Sequence, residues 1–150
     1  MSRYTLNVVS KHPKFMNGTL QKYYVDKIET IGVWGNEAFE ITLSNNSRER
    51  IQTRISLDGV DILTGELATT NATGPMWLVE PYQTLRLNAW QESSKGGASF
   101  VFTNSDNSVS LNVHNSTSHR GIISAAVYEE GYTEPFRTTM TCKSWNVKAS

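Results

Sequence analysis

The chain has 150 residues, of which 38% are hydrophobic and 19% charged, and its formal net charge at pH 7 is zero. This length suits a single domain with a buried core. The balanced charge argues against binding to nucleic acid, which needs clustered basic residues, and the single cysteine, Cys142, excludes an intrachain disulfide.

The first fifteen residues contain no apolar segment of the kind found in signal peptides. We therefore expect a chain that is made in the host cytoplasm and is not secreted through such a signal. No apolar run approaches the roughly 20 residues of a membrane helix, so we expect no membrane partner.

The N-terminal quarter predicts short strands separated by turns. Residues 4–9 are a strand candidate, and Asn17-Gly18 is a turn signal. Residues 23–33 predict either one bent strand or two strands, with Gly32 at the bend.

Four segments between residues 39 and 103 alternate apolar and polar residues. Side chains of a strand point to opposite faces with period two, so each segment can bury one face and expose the other. Asn, Ser, Gly and Pro residues separate the segments, as in β-sandwiches and barrels. The residues on the mainly apolar face of each segment are Phe39, Ile41 and Leu43; Ile51, Thr53, Ile55 and Leu57; Leu85, Leu87 and Ala89; and Ala98, Phe100 and Phe102.

Between these segments, Asp58-Gly59 predicts a tight turn, followed by a short strand over residues 60–63. Residues 64–75 are small and polar and predict a loop. Long loops in compact domains are uncommon and often functional. Residues 77–79 predict a further strand.

The C-terminal third is less regular. Residues 104–120 are mostly polar and predict a loop or a weak edge strand, in which Val109, Leu111 and Val113 alternate. Residues 121–128 predict a buried strand with small side chains, and residues 136–150 predict a last strand or an arm.

These patterns predict one all-β domain over residues 1–150, an antiparallel β-sandwich of jelly-roll or immunoglobulin-like type. We expect about seven to nine strands, with residues 1–20 and 136–150 as candidate arms. The predicted core consists of Phe39, Ile41, Leu43, Ile55, Leu57, Leu85, Leu87, Phe100, Phe102, Ile123 and Val127.

No pattern in the chain predicts catalysis. The sequence contains no phosphate-binding loop and no nucleophile elbow. Asp58 and Asp61 are close in sequence, but the Gly after Asp58 favours a turn in which the side chain caps backbone amides. Cys142 has no histidine nearby in sequence. We expect no enzyme and no cofactor.

The histidines do not predict a metal site. His114 and His119 lie in a Ser/Asn-rich segment without nearby acids or cysteines, whereas a metal needs converging ligands of fixed geometry. A solvated loop is the simpler interpretation.

Aromatic residues leave a carbohydrate-binding module open as an alternative function. Tryptophans in two-sheet proteins more often fill the core or cover its ends. The rings on which a sugar would stack are Trp34, Trp77, Trp90, Trp145 and Tyr82.

Several motifs between Ser56 and Val127 resemble a family of β-sandwich proteins found among tailed-phage virion proteins and in uncharacterised bacterial proteins. The resemblance covers about half of the chain, and its motifs are structural rather than catalytic. They are a D-G-x-x-x-x-T-G turn (Asp58, Gly59, Thr64, Gly65), an L-x-x-P-Y segment (Leu78, Pro81, Tyr82), a strand-ending Trp90, an A-x-F-x-F strand (Ala98, Phe100, Phe102) and a G-x-I-x-x-A-V strand (Gly121, Ile123, Ala126, Val127).

The resemblance implies a virion structural protein, with a capsid decoration or cement protein as the first expectation and a tail or baseplate component as an alternative. Its partners would be the major capsid protein or other virion proteins, and it would be a homo-oligomer or be present in repeated copies on a lattice. The residues we expect at partner contacts are Trp90, Leu111, Val113, His114 and Trp145.

Overall fold

A computed structural model of the chain is all-β and describes residues 3–11, 18–25, 28–32, 38–69, 71–91, 97–103, 121–141 and, for the backbone alone, 146–149. None of the described residues is helical, so no described helix can cross a membrane. The strands are β1 (Tyr4–Ser10), β2 (Lys22–Val25), β3 (Ile28–Ile31), β4 (Ala38–Asn45), β5 (Ile51–Leu57), β6 (Val60–Asp61), β7 (Trp77–Val79), β8 (Thr84–Leu87), β9 (Phe100–Thr103), β10 (Ile122–Glu129), β11 (Phe136–Thr141) and β12 (Asn146–Ala149).

A five-stranded sheet is built around β4. One edge of β4 pairs antiparallel with the whole of β1. The other edge is shared, because β8 pairs with residues 41–44 and β9 with residues 38–39. β12 extends the sheet beyond β9.

A seven-stranded sheet is built around β5 and β10, which pair antiparallel over seven residues each. β6 and β7 share the other edge of β5. Beyond β10 the order continues through β11 and β3 to β2, and the contact of β11 with β3 is parallel. The sheet is otherwise antiparallel.

Side chains from both sheets form one hydrophobic cluster. Phe39 of β4 stacks on Phe102 of β9 with ring centroids 4.0 Å apart, while Ile55 of β5 and Ile123 of β10 are fully buried in the same cluster. The alternation seen in the sequence therefore marks the inward faces correctly. Every residue of the predicted core is buried except Leu85, which is half-buried against the cluster.

The all-β prediction is confirmed, whereas the expected strand number is too low. The described residues alone form sheets of five and seven strands. Residues 23–33, expected as one bent strand or two, contain β2 and β3, and the C-terminal segment contributes β11 and β12.

The two candidate arms contain paired strands. Within residues 1–20, β1 pairs with β4 along its full length, and Tyr4, Leu6 and Val8 are buried. Within residues 136–150, β11 lies between β10 and β3. The backbone of these described strands is therefore paired within the sheets, and the part of each candidate arm outside the described residues stays a prediction.

Two other predicted strands are shorter than expected. β6 ends at Asp61, whose Oδ1 accepts hydrogen bonds from Leu63 N (2.8 Å) and Thr64 N (3.2 Å) and so turns the chain away from the sheet. β8 ends at Leu87, although Ala89 still forms a bridge with Ser99.

The tight turn between β5 and β6 is confirmed. Asp58 and Gly59 have φ of 53° and 79°, the left-handed conformation at both central positions that a two-residue hairpin turn requires. Asp58 Oδ1 also accepts a hydrogen bond from Gly121 N at 2.8 Å. The turn thereby holds the start of β10 in place.

Candidate functional site

The outer face of the seven-stranded sheet is partly covered by residues 64–69 and 71–75, which we call the cover loop. Its first part runs beside the β5–β6 turn, where Ala68 N donates to Gly59 O at 2.8 Å and Leu67 bridges Val60. Its second part crosses β5 on the side away from the core. The small polar residues of this segment therefore form a layer on the sheet.

Arg54 holds the cover loop. In β5, Ile51, Thr53, Ile55 and Leu57 point into the core, so Arg54 points to the outer face. Its guanidinium donates to three backbone carbonyl oxygens, those of Asn71 (3.0 Å from Nη2), Pro75 (3.1 Å from Nη1) and Thr73. The side chain is only 7% exposed. Arg54 is therefore committed to the structure of the loop.

Asp61 neutralises the buried arginine. Its Oδ2 lies 3.9 Å from Arg54 Nη1, and its side chain is 4% exposed. Burial raises the pKa of the Asp61 carboxyl above its usual 3.8, while the amides of Thr64 and Leu63 and the charge of Arg54 act in the opposite direction. The acid and the arginine therefore hold the local backbone together.

A groove of about 620 Å³ remains open beside the cover loop. Its floor consists of outward-facing residues of β5, β10 and β11, and one wall is formed by Leu67, Ala68 and Thr69 of the loop. Leu67 is half exposed. This groove is the largest of the concavities we describe, and the pattern of the sequence did not predict it.

A second hollow of about 420 Å³ lies further along β5 and β10. Gln52, Leu78 and Tyr128 line it, and Tyr132 stands at its rim with 68% of its surface exposed. Ala72 of the cover loop also lines this hollow. The cover loop thus contributes to both concavities of the outer face.

The outer strand of the seven-stranded sheet, β2, pairs with β3 and with no other described strand. The β2–β3 hairpin carries three exposed large side chains, Tyr23 (46%), Tyr24 (70%) and Ile28 (56%). Tyr24 Oη donates to Glu29 Oε2 at 3.3 Å, and Lys22 lies 3.9 Å from the same carboxyl group. We call this hairpin, residues 22–25 and 28–31, the β2 edge.

Trp90 lies in the core, and its prediction as a partner contact is wrong. The residue is 1% exposed, and its ring meets Phe100 edge-on with centroids 5.3 Å apart. A strand that continued regularly through Leu85 and Leu87 would place Trp90 on the opposite face from these two residues. The strand ends at Leu87, so the alternation does not reach Trp90.

The other residues expected at partner contacts, Leu111, Val113, His114 and Trp145, lie outside the described residues. So do His12 and His119, and the predicted loop or weak strand over residues 104–120. Among the residues that the structure describes, no three His, Cys, Asp or Glu side chains are grouped in a way that could hold a metal ion.

The aromatic platform proposed for sugars does not form among the described residues. Trp90 is buried and Trp77 packs half-buried against the core. Tyr82 is 69% exposed and has φ of 60°. Trp34 and Trp145 lie outside the described residues.

Sequence reasoning missed the residues that shape the outer face. Arg54 was seen only as a polar residue between apolar ones, because its role depends on a loop 17 to 21 residues further along the chain. Ser124 and Ala126 carried a weak signal, since small residues at outward positions of a central strand leave space above them.

No family model, no curated protein and no solved structure matches this chain.

Proposed function

We propose that this chain is a structural protein of a tailed-phage virion, a capsid decoration or cement protein that binds the assembled shell and stabilises it. Its two sheets would form a β-sandwich of jelly-roll or immunoglobulin-like type. A tail or baseplate component would use the same contacts and is the second candidate. The proposal starts from the family that the segment from Ser56 to Val127 resembles.

The observation that supports binding to other virion proteins is the β2 edge, which lies at the border of its sheet. A strand at the border of a sheet presents unpaired N–H and C=O groups, and a strand from a neighbouring protein can pair with them. Tyr24, 70% exposed on this strand, adds a large ring that is ordered by its contact with Glu29. Tyrosines of this kind are frequent energetic centres of protein interfaces.

The chemistry of the described acids supports binding rather than catalysis. Asp58 accepts a hydrogen bond from a backbone amide, and Asp61 accepts two in addition to facing Arg54. These contacts support a structural role for both carboxylates. Because the net charge is zero, a long-range electrostatic field would contribute little to attachment. Attachment would depend more on shape, backbone pairing and aromatic contacts.

Binding of many copies to the shell would allow each single contact to be weak. On a symmetric lattice many copies bind side by side, and contacts between neighbours turn weak single attachments into a firm one. The partner in this proposal is the major capsid protein or another virion protein, and the protein would reside in the virion.

The test compares two single substitutions of equally exposed tyrosines. Tyr24→Ala removes the ring of the β2 edge, and Tyr132→Ala removes a ring that is 68% exposed elsewhere. Binding to shells of the virus that encodes the chain is measured by co-sedimentation. We expect Tyr24→Ala to weaken binding about tenfold or more, as for a central interface tyrosine, and Tyr132→Ala to leave it unchanged.

Equal loss of binding in both variants, or no loss in either, would remove the β2 edge from the proposal. Far-UV circular dichroism of both variants provides the control for folding. Point substitutions are preferable to deletion of the termini, because deletion would remove β1 or β11 from the sheets.

A further inference from the structure

The groove beside the cover loop has the chemistry of a binding site. Its volume of about 620 Å³ is within the range of small-molecule sites, about 300–1,000 Å³. It lies on the outer face of β5, β10 and β11. None of its lining residues belongs to the β2 edge, so substitutions can address the two surfaces separately.

Strand register arranges the floor of the groove in two rows. Ser56, Ser124 and Thr139 are direct neighbours on three adjacent strands. Two residues further along the same strands, Arg54, Ala126 and Arg137 form the second row. Adjacent strands are roughly 4.8 Å apart and same-face residues of one strand roughly 7 Å apart, so the hydroxyl row is within reach of the arginine side chains.

The two arginines differ in what they contact. Arg54 is buried and bound to the cover loop and to Asp61. Arg137 is exposed, and it forms no ion pair or hydrogen bond with any described residue. Since Asp61 neutralises Arg54, the groove has one uncompensated positive charge, on Arg137.

The hydroxyl row offers additional donors. Ser56 and Ser124 share one hydrogen bond at 3.1 Å, which leaves a hydroxyl hydrogen on the accepting serine. Thr139 is exposed, and its hydroxyl forms no hydrogen bond with a described residue. A guanidinium fork and hydroxyl groups together favour an oxyanion, and arginine matches a carboxylate with two parallel hydrogen bonds.

The opposite side of the groove is apolar. Leu67 is half exposed on the cover loop, and Ile122 is half-buried at the start of β10. We propose that this groove binds a small organic carboxylate, with the carboxylate on Arg137 and the hydroxyl row and the apolar part against Leu67 and Ile122.

The probe is 4-methylpentanoate, which combines a carboxylate with a branched apolar chain. Backbone amide resonances of the ¹⁵N-labelled chain are followed by NMR during titration at constant ionic strength. We expect saturable shifts at Ser124, Ala126 and Arg137. We expect binding at least about tenfold weaker for 4-methylpentan-1-ol, which lacks the charge, and for inorganic phosphate, which lacks the apolar part.

Two variants locate the carboxylate. Arg137→Ala should weaken binding of 4-methylpentanoate at least about tenfold, and Arg48→Ala should not, because Arg48 is 87% exposed and outside the groove. Arg137→Gln replaces the first variant if that one does not fold.

Three outcomes would overturn the proposal: no saturable shift with 4-methylpentanoate, equal binding of the alcohol or of phosphate, or unchanged affinity in the folded Arg137 variant. The experiment uses no shells. Its failure would therefore leave the assembly proposal untouched, and the reverse also holds.

Discussion

At the residue scale, Arg54 is the side chain on which the outer face depends most. It joins β5 to three carbonyl oxygens of the cover loop and to Asp61 from an almost fully buried position. Arg54→Ala should lower the free energy of unfolding by about 3–5 kcal/mol, because it leaves Asp61 charged and unpaired in a buried place. Denaturant unfolding followed by tryptophan fluorescence measures the change.

The matched control is Arg137→Ala, which removes an arginine from the same row of the same face. Arg137 is exposed, so the free energy of unfolding should change by less than about 0.5 kcal/mol. Equal losses in the two variants would mean that Arg54 contributes no more than a surface arginine and that the cover loop is held by other contacts.

Asp61 predicts a specific dependence of stability on pH. Because burial raises the pKa of this carboxyl in the folded state, the folded chain binds the proton more tightly than the unfolded chain does. The stability that Asp61 contributes is therefore fully present below its unfolded pKa of about 3.8 and is lost as pH rises through the raised folded value.

Asp61→Asn keeps an oxygen for the amides of Leu63 and Thr64 but cannot ionise. The free energy of unfolding of the variant, relative to the natural chain, should rise between about pH 3 and neutral pH. Denaturant titrations at several pH values test the sign. A relative stability that falls over this window would show that the ionised carboxylate favours folding through Arg54.

At the scale of elements, β4 and β5 are the central strands of the two sheets, because each pairs along one edge with two short strands. Asn45, at the end of β4, connects β4 to β5 through its side chain. Its side-chain amide donates to Glu49 O at 2.8 Å and to Glu80 O at 3.2 Å, and its Oδ1 accepts from Ser47 N at 3.0 Å. One buried side chain thus fixes the β4–β5 turn and the end of β7.

Asn45→Ala should lower the free energy of unfolding by about 1–3 kcal/mol, because it leaves buried backbone groups without hydrogen bonds. Gln52→Ala is the control, since Gln52 is exposed on β5. Thermal unfolding of both variants gives the comparison. A loss for Gln52→Ala as large as that for Asn45→Ala would contradict the role assigned to the turn.

The packing of β9 against β4 can be tested separately. Phe100 is fully buried between Phe39 and Trp90, and Phe100→Ala should lower the free energy of unfolding by about 3–5 kcal/mol. Phe136→Ala, at a phenylalanine that is half exposed, should cause a clearly smaller loss in the same denaturant titration. Similar losses of stability in the two variants would contradict the assignment of the core to the cluster around Phe100.

The sequence predicted the strands themselves better than it predicted which strands pair with each other. Alternation identifies β1, β4, β5 and the inward residues of β10, because period two is a local property of a strand. The contact of β11 with β3 joins segments that are far apart in the chain, and local alternation gives no information about such contacts. Trp90 illustrates the limit, since its burial depends on where β8 ends.

The candidate sites were less predictable for the same reason. The groove arises only when Ser56, Ser124 and Thr139 meet across three strands and the cover loop forms a wall. None of these residues is unusual in the sequence. The β2 edge could be predicted only in part: residues 23–33 were expected to be extended, but not to form the border of a sheet.

At the scale of the whole molecule, the two surfaces have separate roles in this account. The β2 edge offers backbone groups and aromatic rings to a neighbouring protein, and the groove offers one positive charge and hydroxyl groups to a small anion. Both surfaces belong to the seven-stranded sheet, with the β2 edge at its border and the groove on the outer face of β5, β10 and β11. Substitutions at one surface should therefore leave the other unchanged.

The proposed attachment to an assembled shell is tested most directly by co-sedimentation of the purified chain with empty shells of the virus to which we propose it belongs. Purified tails of the same virus serve as the comparison. We predict saturable loading of the shells at a fixed number of copies per lattice unit, with the tails unloaded. A chain that stays in the supernatant with shells, or that loads only tails, would contradict the decoration role.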